Sequence, residues 1–298
     1  MRHFGWIVAA PVAALLLAAC GEEEAPVSAS PSDPPASADP GQAYTGFFTV
    51  LENAEHGPQL CSVVAESFPP QCGGPDVLGW NWDEAPNVTS ESGVTWGYYA
   101  VTGTWDGTAL TLTEPPLDGA ATSPVVPDGT VPDFTSPCEP PAGGWAVVDA
   151  ATATQAAQDA ALAHAAEQPD YAGAWIDQSI NPASGQETPD EGAMNDPTQL
   201  VLNVRFTGDL ERHEAELRAI WGGALCVSAA EHTEQELLEI QEEVLAELGD
   251  QASGGGTDVT TGTIVVDVIV DDGLQERLDE QYGEGLIRVS AALRPVGS

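Results

Sequence analysis

Gly93-Val-Thr-Trp-Gly-Tyr-Tyr-Ala-Val-Thr-Gly-Thr-Trp105, followed by Asp106-Gly107 and Thr108-Ala-Leu-Thr-Leu-Thr113, decides how the first half of this chain folds. Aromatic and β-branched residues fill the first run, which suits a long strand. Asp-Gly is a favoured dipeptide for a two-residue type I′ turn, whose central positions both need positive φ. In the returning run Leu110 and Leu112 share one face and the threonines take the other. The two runs therefore predict a hairpin. Upstream, residues 44–51 are aromatic and β-branched as well and read as a further strand. Four or five such strands predict a small antiparallel β-barrel or curled sheet over residues 44–114, OB-like in strand count.

The rings of this β-domain are its most informative feature. Alternation places Trp80 with Trp82 on one strand face and Trp96 with Tyr98 on another. Exposed Trp and Tyr can stack on sugar rings. The competing reading makes them the core of a small sheet, since each such ring buries about 150–250 Å².

Residues 115–141 are rich in Pro, Asp, Thr and Ser and predict a linker or a long surface strap, with Cys138 as its pin. From Gly144 the pattern changes. Strands are expected over 145–148, 172–180, 199–206 and 224–228, with helices over 151–167 and 209–221 between them. Leu200, Leu202 and Val204 alternate in the third strand, and Gly222-Gly223 stops the second helix. That order, β-α-β-β-α-β, is the ferredoxin-like split βαβ pattern. An extra α-β-α-β extension follows. Thr233 and Glu236 form a capping box that opens its first helix. Gly254-Gly255-Gly256 reads as a flexible break. Residues 260–270 are a dense β-branched strand, Asp272 caps a short helix, and 286–293 close the fold.

The expected class is thus α+β: a small β-barrel, then a ferredoxin-like domain with an αβαβ extension. The expected divisions are a signal peptide (1–19), a disordered tether (20–43), the β-domain (44–114), the Pro-rich linker (115–141) and the α+β domain (142–298). No sequence repeat is strong enough to assign.

Charge narrows the function. The chain carries 47 acidic residues against 7 basic ones, a net charge of −40. All the basic residues are arginine, and residues 44–140 hold neither Lys nor Arg. A nucleic-acid binder needs cations to displace phosphate counterions, so that class is excluded. An anionic lipid surface would repel the chain equally. The acidic surface itself reads as solubilising.

Cysteine use points to an oxidising compartment. Beyond Cys20 the chain holds Cys61, Cys72, Cys138 and Cys226. An even set in an exported chain suggests two disulfides, of three possible connectivities. The short Cys61–Cys72 loop is the first choice, which leaves Cys138–Cys226 to tie the linker to the second domain. Zinc is disfavoured because no CxxC pair exists.

The export reading rests on the N-terminus. Arg2 precedes a nearly continuous apolar run over 4–17, and Leu17-Ala18-Ala19-Cys20 closes it. The run falls short of the about 20 apolar residues that a bilayer span needs. These residues resemble the signals of bacterial lipoproteins. The resemblance covers residues 1–20 only. It implies that Cys20 carries acyl chains, palmitate among them, and becomes the mature N-terminus. The folded part would then be extracytoplasmic and held at the membrane by lipid. The following Glu/Pro/Ser/Ala run to Gly41 could span on the order of 60 Å when extended.

Catalytic signatures are scarce. His213-Glu214 starts like HExxH, but residue 217 is Leu217, so His213 is assigned to a helix surface. His56, His164, His213 and His232 lie too far apart in sequence to propose a triad. Nucleophile-elbow and phosphate-loop motifs are missing. Carboxylate pairs such as Asp83-Glu84, Asp190-Glu191 and Asp271-Asp272 are too common here to be informative. No cofactor is expected, apart from Ca²⁺ as a candidate for the loop oxygens of Asp190–Asp196. The leading expectation is a non-enzymatic, lipid-anchored envelope protein that binds or scaffolds a glycan or protein partner. The alternatives are a glycan-binding module using Trp80, Trp82, Trp96 and Tyr98, and a hydrolase using two carboxylates set by three-dimensional distance. A free sheet edge that accepts a partner strand is a further route to binding.

Overall fold

The computed structural model describes residues 41–61, 63–122 and 132–297. The expected signal peptide, Cys20 and nearly all of the expected tether lie outside the described residues. The first part of the chain forms β1 (Ala43–Glu52), β2 (Gln59–Cys61), β3 (Asp76–Leu78), β4 (Thr89–Glu91), β5 (Val94–Trp105), β6 (Ala109–Leu112) and β7 (Leu117–Asp118). Five of these strands close a barrel in the order β1-β2-β3-β6-β5, with β5 pairing back onto β1. The closing pair runs antiparallel from Ala43↔Thr104 to Glu52↔Thr95. One pair, β3 with β6, is parallel, a departure from the all-antiparallel expectation.

Alternation along the long strands builds the interior. Tyr44, Phe48 and Val50 point inward from β1, and Tyr99 and Val101 from β5, to meet Leu60, Val77, Leu110 and Leu293. Each such aliphatic side chain contributes about 1.5–3 kcal/mol by leaving water. The ring of Tyr99 lies over Gly97, where a Cβ would strike its hydroxyl, so the interior needs glycine there. The turn at Asp106-Gly107 departs from type I′: Gly107 alone has positive φ (99°). Asp106 instead uses Oδ1 to accept from the backbone N–H of Thr108 and Ala109, at 2.9 and 2.8 Å.

The rest of the chain forms α1 (Gln155–Ala166), β8 (Tyr171–Asp177), α2 (Glu191–Met194), β9 (Val201–Phe206), α3 (Leu210–Arg218), β10 (Ala224–Ala229), α4 (Glu234–Leu248), β11 (Ala252–Asp258), β12 (Thr263–Val270), α5 (Leu274–Tyr282) and β13 (Ile287–Pro295). The strand expected over 145–148 does not form; Val148 and Asp149 turn to donate to the Gly222 carbonyl instead. The glycine run expected as a break is β11, an edge strand paired to β12. In place of the expected split βαβ, the same unit occurs twice: α1-β8-β9-α3-β10 and α4-β11-β12-α5-β13. In each, the first strand is antiparallel to the second, and the second is parallel to the third.

The likeness of the two units extends to detail. Both antiparallel pairs shift register at the start of the first strand, between Tyr171 and Gly173 and between Ala252 and Gly254. Both crossover helices begin after a left-handed residue, Asp209 (φ 48°) or Gly273 (φ 73°). Val-Ser-Ala-Ala stands at 227–230 in one and at 289–292 in the other. Val227 pairs with Val204, and Val289 with Val266.

The outer sheet faces differ. Over the first unit, the segment after Pro132 crosses as a strap. The Trp175 indole donates to the Phe134 carbonyl (3.1 Å), and the Ser136 N–H and hydroxyl both donate to Asp177 (2.8 and 2.7 Å). Cys138 is disulfide-bonded to Cys226, and Trp145 packs with Ile180 over Val201. In the second unit, β13 pairs onward with β1, so this sheet continues into the barrel.

Candidate binding face on the barrel wall

The outer wall of the barrel carries an aromatic surface. Because Gly97, Tyr99 and Val101 point inward, Trp96, Tyr98 and Ala100 point out. Register with β1 sets Leu51 beside Trp96, Thr49 beside Tyr98 and Phe47 beside Ala100. On the other edge of β5, β7 sets Leu117 beside Ala100, and β4 sets Thr89 beside Trp96. Directly opposed residues share a face. Phe68 joins this wall from the loop closed by the Cys61–Cys72 disulfide. Its ring meets Trp96 edge-on, with centroids 5.9 Å apart at 85°. Phe47 and Tyr98 lie 6.3 Å apart at 30°.

Two of these rings and the neighbouring Leu117 are open to water. Phe68 is 79% exposed, Leu117 58% and Tyr98 45%. Gly119 makes room for Tyr98: its N–H donates to the Tyr98 carbonyl (3.0 Å), and a Cβ there would strike the tyrosine ring. The rim is polar. Asn87 donates to Asp118 (2.6 Å), and the hydroxyls of Ser90 and Thr95 are bonded to each other (3.0 Å). Burial, reinforced by the Asp118 charge, raises the pKa of the Tyr99 hydroxyl just inside this wall.

Of the four ring residues singled out from sequence, Trp96 and Tyr98 come together on this wall. Trp80 and Trp82 do not stand on a strand face. β3 ends at Leu78 because Gly79 takes positive φ (80°), and both tryptophans fall in the turns beyond it. Their rings pack on each other (5.1 Å) and Trp80 on Tyr99 (5.0 Å), against the barrel core. The Trp82 indole donates to Glu52 (2.6 Å). Phe68, Phe47 and Leu117 were not foreseen. Phe68 lies in an irregular Pro-rich loop without periodicity; its place between Cys61 and Cys72 was the available signal.

The other candidates sort themselves by partner. His213 is buried, contrary to the helix-surface assignment. Its ring stacks on Phe206 at 3.7 Å, and Nε2 lies 2.8 Å from Asp170. Burial alone would raise the pKa of Asp170; the bond to His213, its own backbone and the charges of His213 and Arg212 outweigh this and hold it low. Asp190 and Asp196 each spend a carboxylate oxygen on nearby N–H groups, of Ala193 and Thr198. Among the described residues no group of three or more His, Cys, Asp or Glu converges to hold a metal ion. Two clefts, of about 660 and 730 Å³, mix one arginine each (Arg205, Arg277) with carboxylates. No described helix is long and apolar enough to cross a membrane. Compared with known proteins, the chain matches no family model, no curated protein and no solved structure.

Proposed function

We propose that this chain is a non-catalytic, extracytoplasmic binding module, anchored through acylated Cys20, whose contact surface is the aromatic outer wall of the barrel. The exposure of Phe68, Tyr98 and Leu117 on one continuous face carries the reading, since exposed apolar patches rimmed by polar groups mark contact sites. Two disulfides fit an oxidising compartment. The closed, non-sequential path of five strands supports an OB-like description of the barrel. The described carboxylates with a displaced pKa are held low, as Asp106 and Asp196 are by N–H and hydroxyl donors. A glycosidase acid needs the opposite displacement.

The anchor is tested by mass spectrometry of the mature N-terminus, expected at Cys20 with its acyl mass. Cys20→Ser should leave the membrane fraction, and an unmodified terminus would end the lipid claim. The contact face is tested by hydroxyl-radical footprinting of the protein in envelopes of its own cells. Trp96, Tyr98 and Phe68 should be protected relative to the purified protein; equal labelling would end the claim for this wall.

A further inference from the structure

We infer that the ligand of this wall is a neutral glycan, an inference that rests on the wall being the contact surface. Four observations converge on that chemistry. The rings form a track and not a pocket: from Trp96 to the Ala100–Leu117 pair, β5 covers on the order of 13 Å of surface, long enough for an oligosaccharide to lie along. Its apolar components, Phe47, Tyr98, Trp96 and Phe68, offer ring faces and edges to the C–H face of a sugar. Polar groups on the same face offer what hydroxyl groups need: the Glu91 carboxylate, opposite Val94, to accept, and the hydroxyls of Thr49 and Thr89 in register with Tyr98 and Trp96.

Charge, the fourth, disfavours anionic occupants. Residues 44–140 contain no Lys or Arg, so the strands that carry the rings offer no cation to a phosphate, a sulfate or a uronic acid; the guanidinium nearest in register, Arg294 opposite Thr45 on β13, stands at the edge of this face and is engaged within the fold. An anionic bilayer surface is repelled for the same reason. A second copy would bring another net −40 to the contact. A neutral polymer escapes all three penalties.

The probe is a panel of soluble neutral polysaccharides (a β-glucan, a xylan and a galactomannan) with alginate as the anionic control. The acylated mature chain, held in neutral detergent, is run in native gels containing each polymer. At least one neutral polymer should retard it, while alginate should not. Tyr98→Ala and Phe68→Ala remove solvent-exposed rings, and each should weaken that binding by about tenfold, the equivalent of one lost aromatic stack. Trp82→Phe, which keeps the inner packing, should leave it unchanged. Retardation by alginate alone, by no polymer, or equally with Tyr98→Ala and Phe68→Ala overturns the glycan inference. Footprint protection in native envelopes combined with no polymer binding would assign the wall to a protein partner; no protection would remove the wall itself.

Discussion

The two αββαβ units share connectivity, a register shift, a left-handed helix start and a four-residue run, yet they finish their sheets differently. A three-stranded sheet with helices on one face still has a second face to cover. In the first unit the residues there are Trp175, Asn203 and Cys226, and a disulfide-pinned strap closes over them. The corresponding positions in the second are Gly256, Val265 and Arg288. That sheet is prolonged sideways into the barrel instead. One framework thus tolerates two solutions, and the side chains at matched register positions tell which one a copy uses.

The comparison predicts that the two units respond separately. The largest effect is expected from the strap. Cys138→Ala with Cys226→Ala opens a crosslink of sequence separation 88. Chain entropy alone sets the loss at about 4.6 kcal/mol. Hydrogen exchange should rise over β8, β9 and β10 while β12 keeps its protection; a uniform rise would mean that the units are not independent. Next come matched core truncations. Leu202 and Ile264 are both fully buried at equivalent positions, and each mutation to Ala should cost about 3 kcal/mol. Leu202→Ala should loosen only the first unit and Ile264→Ala the second with its barrel neighbours, as read by the same exchange experiment.

The smallest effect concerns pH. Burial alone would raise the pKa of Asp177, but donors from Ser179 and Ser136 outweigh it and hold the carboxyl below its ordinary value. A group depressed in the fold stabilises it above the unfolded pKa, near 3.9, and that contribution is lost as pH falls through the folded value. Acidification below about pH 4 should therefore release the strap, seen as faster exchange at Trp175 and Cys226. Asp177→Asn should be less stable at pH 7 by about 1–2 kcal/mol and flatter in its own contribution across that acid range. An unchanged acid profile would remove Asp177 as the clasp.

Much of the barrel was legible because alternation survives in long strands: 94–105 and 44–51 both read correctly, and so did the Cys61–Cys72 and Cys138–Cys226 pairings. Short elements were not. Trp80 and Trp82 looked like strand residues until Gly79 turned the chain, a backbone choice that side-chain alternation does not register. β11 was hidden because Ala-Ser-Gly-Gly-Gly has no strand propensity; pairing to β12 makes it a strand. The repeat of the αββαβ unit was too weak to assign from sequence for a related reason. Its copies agree in register and backbone shape, while few residues beyond Val-Ser-Ala-Ala match, Val204 with Val266 and Leu210 with Leu274 among them. His213 was misplaced because its burial depends on Phe206 and Asp170, both distant neighbours brought together by the fold. Half of the candidate wall could be read from β5 alone; the half supplied by Phe47, Phe68 and Leu117 required knowing which strands lie beside it.

Pairing of Tyr44 with Pro295 brings the first and last strands of the described body into contact, and Leu293 fills the barrel core. A chain emerging amino-end first would expose β1 well before its final neighbour arrives. Completion of the sheet around β1 must therefore await the end of the chain, and truncating the last dozen residues should leave a product that is open, sticky and prone to proteolysis.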